Sequence, residues 1–567
     1  MTTPWTSSVS RWRRPPRFSG VVAVTEWTIG AVLDAIAEVV PDRPMTVCGP
    51  RRTSFAEAAQ RTSRLASYLN KQGFGAHRAR ETLQRWECGQ DRVALIMHND
   101  LYPDMVIGCL KARVVPVNVN HHYSPREIAE LLEYVRPRGI IYHRALGARF
   151  ADLLPAAGAD LLVSIDDGSG AAELPGAVSL DEVVTAGAPN YRPTGSPDDL
   201  IMMCTGGTTG RPKGVLWRQG DMYVASMVGA DHANVDEIHQ KVRLGGSPWF
   251  AVSPLMHAAG LWTAFSGFLS GFPVVLYDDR AKLDVRSVWA TAEREKVGMV
   301  TMVGDAYAGP LVAELSAHPY DLSALQAIGT GGAATNPKYK RALMERLPHV
   351  TIIEGYGSSE TGNMAFGHSR NRMASETFAM RVGGAVASAD RSSFLQPGTA
   401  EIGWAARMGR IPLGYFNDPE ATRRTFPEIE GHRVVIPGDR ATIENDGTIR
   451  LLGRDSLVVN TGGEKVFVEE VEEVLRGHPD IADALVVGRA SQRWGQEVVA
   501  LVAARPGVDL AGSERALYAL CTAKLAHFKA PKAFIFVSHI QRLGNGKPNY
   551  RWAKQAAAQQ LPVGGSA

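Results

Sequence analysis

The sequence predicts an α/β protein: a large part with two doubly wound α/β subdomains and a small β-barrel-like subdomain, followed by a small α+β domain. Strand-like and helix-like segments alternate over residues 92–165 and again over 270–355. Such alternation is typical of parallel sheets that are covered by helices on both faces. Short segments bounded by Gly and Pro then run over 383–452, and the pattern changes again after residue 456.

The first alternation contains a helix whose start can be located from the sequence. Ser124 is a predicted N-cap, Pro125 suits the first helical position, and Glu127 completes a capping box. The apolar residues that follow share one face of the helix: Ile128, Leu131, Leu132 and Val135. We expect this helix to pack against the sheet and to have no chemical role.

The other predicted units follow in chain order. The second alternation includes the strand-like FPVVLY, GMVTMV, LQAIGTGG and VTIIEGYG. In the small all-β unit, Asn445-Asp446-Gly447 supplies a hairpin-type turn. The last unit combines the helical VFVEEVEEVLRG with the strand-like DALVVGRA, EVVALVAAR and PKAFIFVSHI.

Composition excludes several classes of protein. Hydrophobic residues make up 45% of the 567 residues and charged residues 21%, which are ordinary values for a globular enzyme. Disordered, collagen-like, coiled-coil and small disulfide-rich proteins are therefore excluded. The formal net charge is +3, so the chain lacks the basic excess that nucleic-acid binding requires.

Cysteine usage and the N-terminus bear on location. The cysteines are scattered and form no C-x-x-C pair: Cys48, Cys88, Cys109, Cys204 and Cys521. This predicts neither a disulfide framework nor a structural zinc site, and it favours a reducing, cytoplasmic location. Residues 1–24 are basic without the apolar core of a secretory signal, so we expect a frayed N-terminus.

Residues 244–277 contain no Asp, Glu, Lys or Arg. A run of this length could cross a bilayer. Pro254, Pro273 and several glycines interrupt it, however, and such residues disfavour a membrane-spanning helix. We therefore favour a buried element beside an apolar cavity over a transmembrane segment.

A phosphate-binding segment is predicted at residues 204–214, which read CTGGTTGRPKG. Glycines let backbone N–H groups point at an anion, while threonine hydroxyls and Lys213 add donors and charge. The spacing is not that of a Walker A loop. A flexible glycine-rich hairpin is the alternative interpretation.

Further motifs follow this segment in a fixed order. They are Gly331-Gly332-Ala333, Gly355-Tyr356-Gly357-Ser358-Ser359-Glu360, Pro437-Gly438-Asp439, Gly453-Arg454-Asp455 and Gly544-Asn545-Gly546-Lys547. Together they resemble the adenylate-forming superfamily of acyl-CoA synthetases, luciferases and peptide-synthetase adenylation domains. The resemblance extends over about residues 25–555, and it is strongest to bacterial acyl-CoA ligases for fatty acids or steroid side-chain acids.

The resemblance implies roles for individual residues. Lys547, Glu360, Thr208 and His257 would serve catalysis, with Glu360 also holding Mg²⁺. The residues implied to bind the nucleotide are Thr205, Gly206, Gly207, Thr209, Gly210, Lys213, Gly332, Ala333, Glu354, Gly355, Tyr356, Gly357, Ser359, Asp439 and Arg454. The chemistry suits these residue types, because a carboxylate can attack the α-phosphorus of ATP only where positive charge neutralises both anions.

The resemblance also implies movement between two domains. The large AMP-binding domain would span 25–453, a hinge 454–457, and the small domain 458–567, with Lys547 on the small one. Ser456 replaces the Asp or Lys usual at the pivot. After adenylation the small domain would rotate, and Gly462 and Gly463 would line a tunnel for the CoA thiol; a simple tight turn is the alternative interpretation of these glycines.

The acid substrate is predicted to be apolar. His257 lies in SPLMHAAG, which resembles a motif that lines the acyl pocket, and the stretch 244–277 offers no carboxylate to pair with a substrate ammonium. An unpaired buried ammonium would cost several kcal/mol, which disfavours an amino acid. The predicted pocket residues are His257, Trp262, Met302, Val303 and Gly304, with Phe265 as a further candidate.

We therefore expect an ATP-dependent ligase that forms an acyl-adenylate and transfers the acyl group to CoA. A fatty acyl-AMP ligase that loads an acyl carrier protein is the alternative, and a luciferase-like oxygenase is a third. A non-catalytic nucleotide-binding regulator would have lost Lys547 or Glu360, and both are present. ATP, Mg²⁺ and CoA are the expected cofactors and co-substrate, and peripheral membrane contact and a homodimer stay open.

Overall fold

The computed structural model describes residues 26–189, 191–192, 195–206, 212–280, 282–332, 335, 337–371, 373, 375–454, 458–541 and 550–559. The strands are β1 Pro44–Cys48, β2 Arg51–Ser54, β3 Arg92–Ile96, β4 Val115–Asn118, β5 Gly139–His143, β6 Leu161–Ile165, β7 Val178–Ser179, β8 Leu200–Gly206, β9 Pro212–Arg218, β10 Trp249–Ala251, β11 Val274–Leu276, β12 Met299–Met302, β13 Ala327–Gly331, β14 Thr351–Ser358, β15 Gly362–Ser369, β16 Ala379–Met380, β17 Gly384–Ala387, β18 Gly403–Met408, β19 Gly414–Tyr415, β20 Glu428–Ile429, β21 His432–Val435, β22 Asp439–Ile443, β23 Ile449–Arg454, β24 Val458–Thr461, β25 Glu464–Phe467, β26 Ile481–Ser491, β27 Gly495–Ala504 and β28 Ala533–Val537.

The α-helices are α1 Ile29–Val39, α2 Phe55–Lys71, α3 Tyr102–Lys111, α4 Pro125–Val135, α5 Arg144–Arg149, α6 Leu180–Ala186, α7 Gln219–Ser226, α8 Val235–Arg243, α9 Ala258–Phe268, α10 Val285–Arg294, α11 Gly304–Ala317, α12 Pro337–Arg346, α13 Pro419–Thr425, α14 Val468–Arg476, α15 Glu514–Lys524 and α16 Tyr550–Gln559. Single 3₁₀ turns occur at Arg80–Thr82, Pro155–Ala157 and His527–Lys529.

Two large sheets, each containing a run of parallel strands, form the first part of the molecule. The first sheet has the strand order β19-β9-β8-β4-β3-β5-β6-β7, and β8, β4, β3, β5, β6 and β7 run parallel. The second has the order β16-β15-β14-β13-β12-β10-β11-β1-β2, with parallel pairing from β14 to β1. The predicted α/β fold class is confirmed.

The helix predicted after Ser124 forms as α4. The Ser124 hydroxyl accepts a hydrogen bond from the Glu127 amide, and the Glu127 carboxylate accepts one from the Ser124 amide, which completes the capping box. Pro125 occupies the first turn, and the predicted apolar face is buried in the core of the first sheet.

The charge-free stretch folds as strand, helix and strand: β10, α9 and β11. Helix α9 has 11 residues, and most of them are buried among helices that lie between the two large sheets. That core includes Leu95 of the first sheet and Ala251 of the second, so the two sheets share it. Among the described residues, no helix combines the length and the apolar run that crossing a bilayer requires.

Two smaller sheets complete the molecule. A six-stranded antiparallel sheet has the order β20-β21-β18-β22-β23, with β17 beside β18. A five-stranded sheet has the order β25-β24-β27-β26, with β28 parallel to β27. Its strands all come from Val458 onward. The predicted boundaries 25–453, 454–457 and 458–567 stay predictions, and Ser456 lies outside the described residues.

A test of the packing around α9 is the substitution Gly260→Ala. A methyl group at this position would collide with the carbonyl oxygen of Pro254 and lie 2.6 Å from that of Ser253. Since neither atom belongs to a flexible side chain, we expect a loss of about 1–3 kcal/mol, seen as a lower midpoint of thermal unfolding. Gly75→Ala is the control, because its methyl would meet nothing closer than 3.8 Å; equal midpoints for the two variants would contradict this account.

Candidate active site

The predicted phosphate segment lies on the β8–β9 hairpin. Thr205 pairs with Lys213 across the two strands, and Gly206 pairs with Pro212. Gly207, Thr208, Thr209 and Gly210 lie outside the described residues. Asn118, at the end of β4, holds the base of this hairpin: its side chain accepts a hydrogen bond from the Cys204 amide (2.6 Å) and donates to the Met256 carbonyl (2.7 Å).

Lys213 and Glu360 both contact Tyr415, one at its ring and the other at its hydroxyl. The Lys213 Nζ lies 5.1 Å from the centre of the Tyr415 ring, and the Tyr415 hydroxyl donates to Glu360 Oε1 at 3.0 Å. The Trp217 indole donates to the Ser359 carbonyl (2.8 Å), which fixes the turn that carries Glu360 against β9. Burial lowers the pKa of Lys213, and the negative charge of Asp418 acts in the opposite direction.

The glycine turn predicted to bind the adenine ring, Gly331-Gly332-Ala333, begins at the end of β13, which runs parallel to β14. Gly331 pairs with Gly355, the last register pair of β13 and β14. Gly332 has φ +76°, a conformation that glycine adopts without strain. A Cβ on Gly332 would lie 3.7 Å from Ala259 and from Val303, so this turn contacts the start of α9. Ala333 lies outside the described residues.

The predicted ribose-binding Asp439 is connected to the same region. The Tyr356 hydroxyl donates to Asp439 Oδ2 at 2.8 Å. Asp439 pairs with Arg454 across β22 and β23, but the Arg454 side chain lies outside the described residues. Gly357 sits against the carbonyl of Gly362, where a Cβ would collide.

Glu354 has protein partners on both carboxylate oxygens. Lys340 on α12 lies 2.8 Å from Oε2, and the Thr335 amide donates to Oε1 at 3.2 Å. Both side chains of this ion pair are buried. In the structure, Glu354 therefore anchors α12 and the segment after Gly332 to β14.

The structure places the residues predicted to line the acyl pocket in several different surroundings. Met302 and Phe265 are buried in two different hydrophobic cores. Trp262 is also buried, and its indole N–H finds no partner among the described residues. Val303 lies between two glycine turns, at Gly332 and Gly463, and Gly304 begins α11 with φ +55°.

His257 and Glu464 join the two parts of the chain. His257 precedes α9, and its Nε2 lies 3.2 Å from Glu464 Oε1. Asn120 donates to the other Glu464 oxygen at 3.3 Å. Burial alone would lower the pKa of His257, but the carboxylate of Glu464 outweighs it and raises that pKa. Burial would raise the pKa of Glu464, and His257 and His122 reverse this and lower it.

The glycines predicted to line the CoA tunnel form the turn beside Glu464. Gly462 and Gly463 have φ of +59° and +87°. A Cβ on Gly463 would lie 2.9 Å from a methyl carbon of Val303. Because that separation is shorter than van der Waals contact, only glycine lets the backbone come this close. Lys547 lies outside the described residues, so the structure gives it no position.

A second contact between the two parts is a buried lysine. Lys529 Nζ lies 2.6 Å from Glu127 Oε1 on α4 and 2.9 Å from Glu470 Oε2 on α14. The Tyr123 ring lies 4.9 Å from the same ammonium. Burial opposes the charge of Lys529, but Glu470, Tyr123 and Glu127 raise its pKa above the ordinary value.

Several residues of this site escaped sequence reasoning. Asn118 is the last residue of the buried parallel strand β4, and Asn120 follows that strand. Because ligands bind at the carboxyl ends of parallel strands, polar residues there could have indicated the site. Tyr415 carries no such signal, because the two-residue strand that positions it lies far along the chain from Lys213.

Comparison with known proteins identifies relatives over most of the chain. A model of the AMP-binding enzyme family matches residues 33–391, and a model of the C-terminal domain of AMP-binding enzymes matches 470–547. The medium-chain acyl-CoA ligase Mig of Mycobacterium avium is 42% identical over 94% of this chain and 98% of its own length. A medium/long-chain-fatty-acid–CoA/3-oxocholest-4-en-26-oate–CoA ligase of Mycobacterium tuberculosis is 35% identical, over 91% of this chain and 94% of its own.

Among solved structures, the amide bond synthetase McbA of Marinactinospora thermotolerans has the same fold. It superposes with a TM-score of 0.74 over 93% of this chain and 100% of its own, at 21% identity. The matches to the two family models, the coverage of the relatives and the shared fold lead to one conclusion. The chain belongs to the AMP-binding enzyme family.

Proposed function

We propose that this protein is an ATP-dependent, AMP-forming acyl-CoA ligase for an apolar carboxylic acid. The observation that carries the proposal is its 42% identity, over 94% of the chain, to a protein named as a medium-chain acyl-CoA ligase. The M. tuberculosis relative, whose name includes both fatty acids and a steroid acid, supports the same reaction on a long or bulky acid. The substrate class is therefore a medium- or long-chain fatty acid or a steroid side-chain acid.

The first half-reaction joins the acid to AMP and releases pyrophosphate. The acid carboxylate attacks the α-phosphorus of ATP, and the bond to the β-phosphate oxygen breaks. Lys213 would supply positive charge from the β8–β9 hairpin, which carries the predicted phosphate segment, and Lys547 would supply more. Asp439 would accept hydrogen bonds from ribose hydroxyls, and the backbone at Gly332 would contact the adenine ring.

Glu360 is the proposed Mg²⁺ ligand. Its carboxylate is half-buried and oriented by the Tyr415 hydroxyl at 3.0 Å. Mg²⁺ in proteins is commonly held by one or two carboxylates together with substrate phosphates, so this donor fits the ion. When bound, Mg²⁺ would neutralise charge on the phosphates.

The region around α9 supports an apolar acid. Residues 244–277 contain no carboxylate, and the carboxylate that reaches His257 belongs to Glu464, whose two oxygens contact His257 and Asn120. Residues 244–277 would therefore offer a substrate ammonium no carboxylate as a counter-ion. An acid with a hydrocarbon body is therefore favoured over an amino acid.

The second half-reaction transfers the acyl group to a thiol. The sulfur attacks the acyl carbon, and AMP leaves as its phosphate–acyl bond breaks. In the structure, Gly463 lies against Val303, which also lies near Gly332. We propose that this arrangement serves thioester formation, and that adenylation uses another position of residues 458–567 in which Lys547 approaches the phosphates.

The cytoplasm is the proposed location. All five cysteines are free thiols, as is usual for a protein in a reducing compartment.

Purified protein should release pyrophosphate only when ATP, Mg²⁺ and an apolar acid are all present. A screen of short, long-chain, aromatic and steroid acids for pyrophosphate release identifies the substrate, and mass spectrometry after addition of CoA detects the acyl-CoA. Acyl-adenylate that accumulates and is never consumed by CoA would contradict the second half-reaction. It would point instead to an enzyme that loads an acyl carrier protein.

The substitution Lys547→Ala should lower the rate of adenylation at least about 100-fold, because it removes a charge that stabilises the transition state. The same variant should convert a supplied acyl-adenylate and CoA to acyl-CoA at close to the wild-type rate. Single-turnover measurements of each half-reaction make the comparison, and equal losses in both would contradict the two-position account.

The substitution Glu464→Gln should slow acyl transfer about fivefold and leave adenylation unchanged. It removes the charge of a partly exposed ion pair, worth ~1 kcal/mol, while keeping the shape of the side chain. Glu497→Gln is the matched control, because Glu497 pairs with Arg489 at 2.8 Å within the sheet of the same unit.

This difference between wild type and Glu464→Gln should depend on pH in one direction. The pKa of His257 is raised above its ordinary 6.5 and that of Glu464 lowered below 4.5. Both side chains are therefore charged between the lowered pKa of Glu464 and the raised pKa of His257. The contribution of this ion pair to acyl transfer is lost as the pH rises through the raised pKa of His257. The advantage of the wild type in acyl transfer should shrink above pH 6.5; an advantage that grows at alkaline pH would contradict the pairing.

A further inference from the structure

Two buried histidines and an aspartate face one another at the junction of the two large sheets. His98 follows β3, His121 follows β4, and Asp279 follows β11. One potential ligand atom from each residue lies within 4.8 Å of the other two. His98 Nδ1 is 3.4 Å from Asp279 Oδ1, and His121 Nε2 is 3.9 Å from Asp279 Oδ2.

The atoms that face this point have no hydrogen-bond partner among the described residues. They are His98 Nδ1, His121 Nε2 and Asp279 Oδ2. The three side chains are only 9%, 3% and 9% exposed. A buried polar atom without a partner is destabilising, and three such atoms facing one point indicate a ligand that satisfies all of them.

Neighbouring hydrogen bonds orient two of the three groups, His121 and Asp279, to coordinate a cation. His121 Nδ1 lies 3.1 Å from the Met97 carbonyl, which can only accept, so Nδ1 carries the proton and Nε2 presents its lone pair. The Asn99 amide donates to Asp279 Oδ1 at 2.9 Å. Metal-binding histidines and carboxylates are commonly oriented by such outer hydrogen bonds.

The basic groups around the cluster have partners of their own. His143 Nε2 lies 2.8 Å from Asp100 Oδ1, and its Nδ1 accepts a hydrogen bond from the His98 amide. Arg280 pairs with Asp278 at 2.8 Å and lies 3.6 Å from Asp100. His143 and Arg280 are thus directed at other carboxylates, and the carboxylate of Asp279 is left to face the two imidazoles of His98 and His121.

We propose that His98, His121 and Asp279 form a binding site for a divalent transition-metal ion such as Zn²⁺. Two imidazoles and a carboxylate are a donor set that Zn²⁺ accepts. In a tetrahedral site with ligands at about 2.0 Å, donor atoms lie about 3.3 Å apart. Here His98 Nδ1 lies 3.4 Å from Asp279 Oδ1 and His121 Nε2 lies 3.9 Å from Asp279 Oδ2, and one ligand atom from each residue lies within 4.8 Å of the other two, so the three side chains would draw slightly closer around a bound ion. This site is separate from Glu360 and does not depend on the proposed ligase activity.

The ion would have a structural effect that can be measured without an activity assay. His98 and His121 belong to the first sheet and Asp279 to the second, so one ion would link both sheets. His121 also neighbours Asn120, whose side chain contacts Glu464. The ion would therefore stiffen the segment on which the Glu464 turn docks.

The experiment is a Zn²⁺ titration of the full chain after treatment with a chelator. We expect about one equivalent of Zn²⁺ to bind with a micromolar or lower Kd, by competition with a chromophoric chelator, and to raise the midpoint of thermal unfolding. His121→Ala and the isosteric Asp279→Asn should each weaken binding at least about tenfold. His232→Ala, which removes a buried histidine that contacts Tyr223 instead, should bind as the wild type does.

Two outcomes of the titration would overturn the proposal. The wild type could bind no Zn²⁺, as expected if a water molecule satisfies these atoms, or His121→Ala and Asp279→Asn could bind as tightly as the wild type, which would place the ion elsewhere. If either variant fails to fold, Co²⁺ substitution in the wild type decides, because coordination by two histidines and a carboxylate in a tetrahedral site gives strong visible absorption that an octahedral, surface-bound ion lacks.

Discussion

The arrangement of the candidate site depends on how a buried ammonium is neutralised. Lys529 lies between Glu127 of the large part and Glu470 of the small one, at 2.6 and 2.9 Å. A buried charge that loses its partners is strongly destabilising, and without Lys529 two buried carboxylates would face each other. Glu127 also caps α4, so one side chain serves both a helix start and the contact between units. This contact lies on the same side as Asn120 and Tyr123, and it thereby sets where the Glu464 turn meets the large part.

The candidate site is built mostly from backbone atoms and from a few polar contacts between residues that are far apart in the sequence. Gly331, Gly332 and Gly355 bring backbone without side chains to the carboxyl ends of two adjacent parallel strands of the second sheet, where we propose that the adenine ring binds. Charged side chains complete the candidate site: Lys213 and Glu360 both contact Tyr415, and Asp439 is held by Tyr356. Such an arrangement suits a substrate with a planar base at one end and several phosphate charges at the other.

The sequence predicts features whose causes are local. Helix α4 is predicted to its first residue, because Ser124, Pro125 and Glu127 act within one turn. Strands β1 and β10 are not predicted, since they gain their hydrogen bonds from partners far along the chain. The motif residues were identifiable from their order, yet the contact of Glu464 with Asn120 joins positions 344 residues apart. Met302 and Val303 were both predicted to line the acyl pocket. Successive side chains along a strand point in opposite directions, however, and the structure places Met302 in a hydrophobic core and Val303 between the turns at Gly332 and Gly463.

Val303 has neighbours that belong to different steps of the proposed reaction. A Cβ on Gly332 would lie 3.7 Å from it, and one on Gly463 would lie 2.9 Å away. The residue at position 303 is therefore shared by the nucleotide turn and the thiol-side turn. In protein engineering, a larger side chain at position 303, introduced to reshape the proposed acid pocket, would therefore press against both turns at once. Changes of acid selectivity are better sought at positions that only one of these turns contacts.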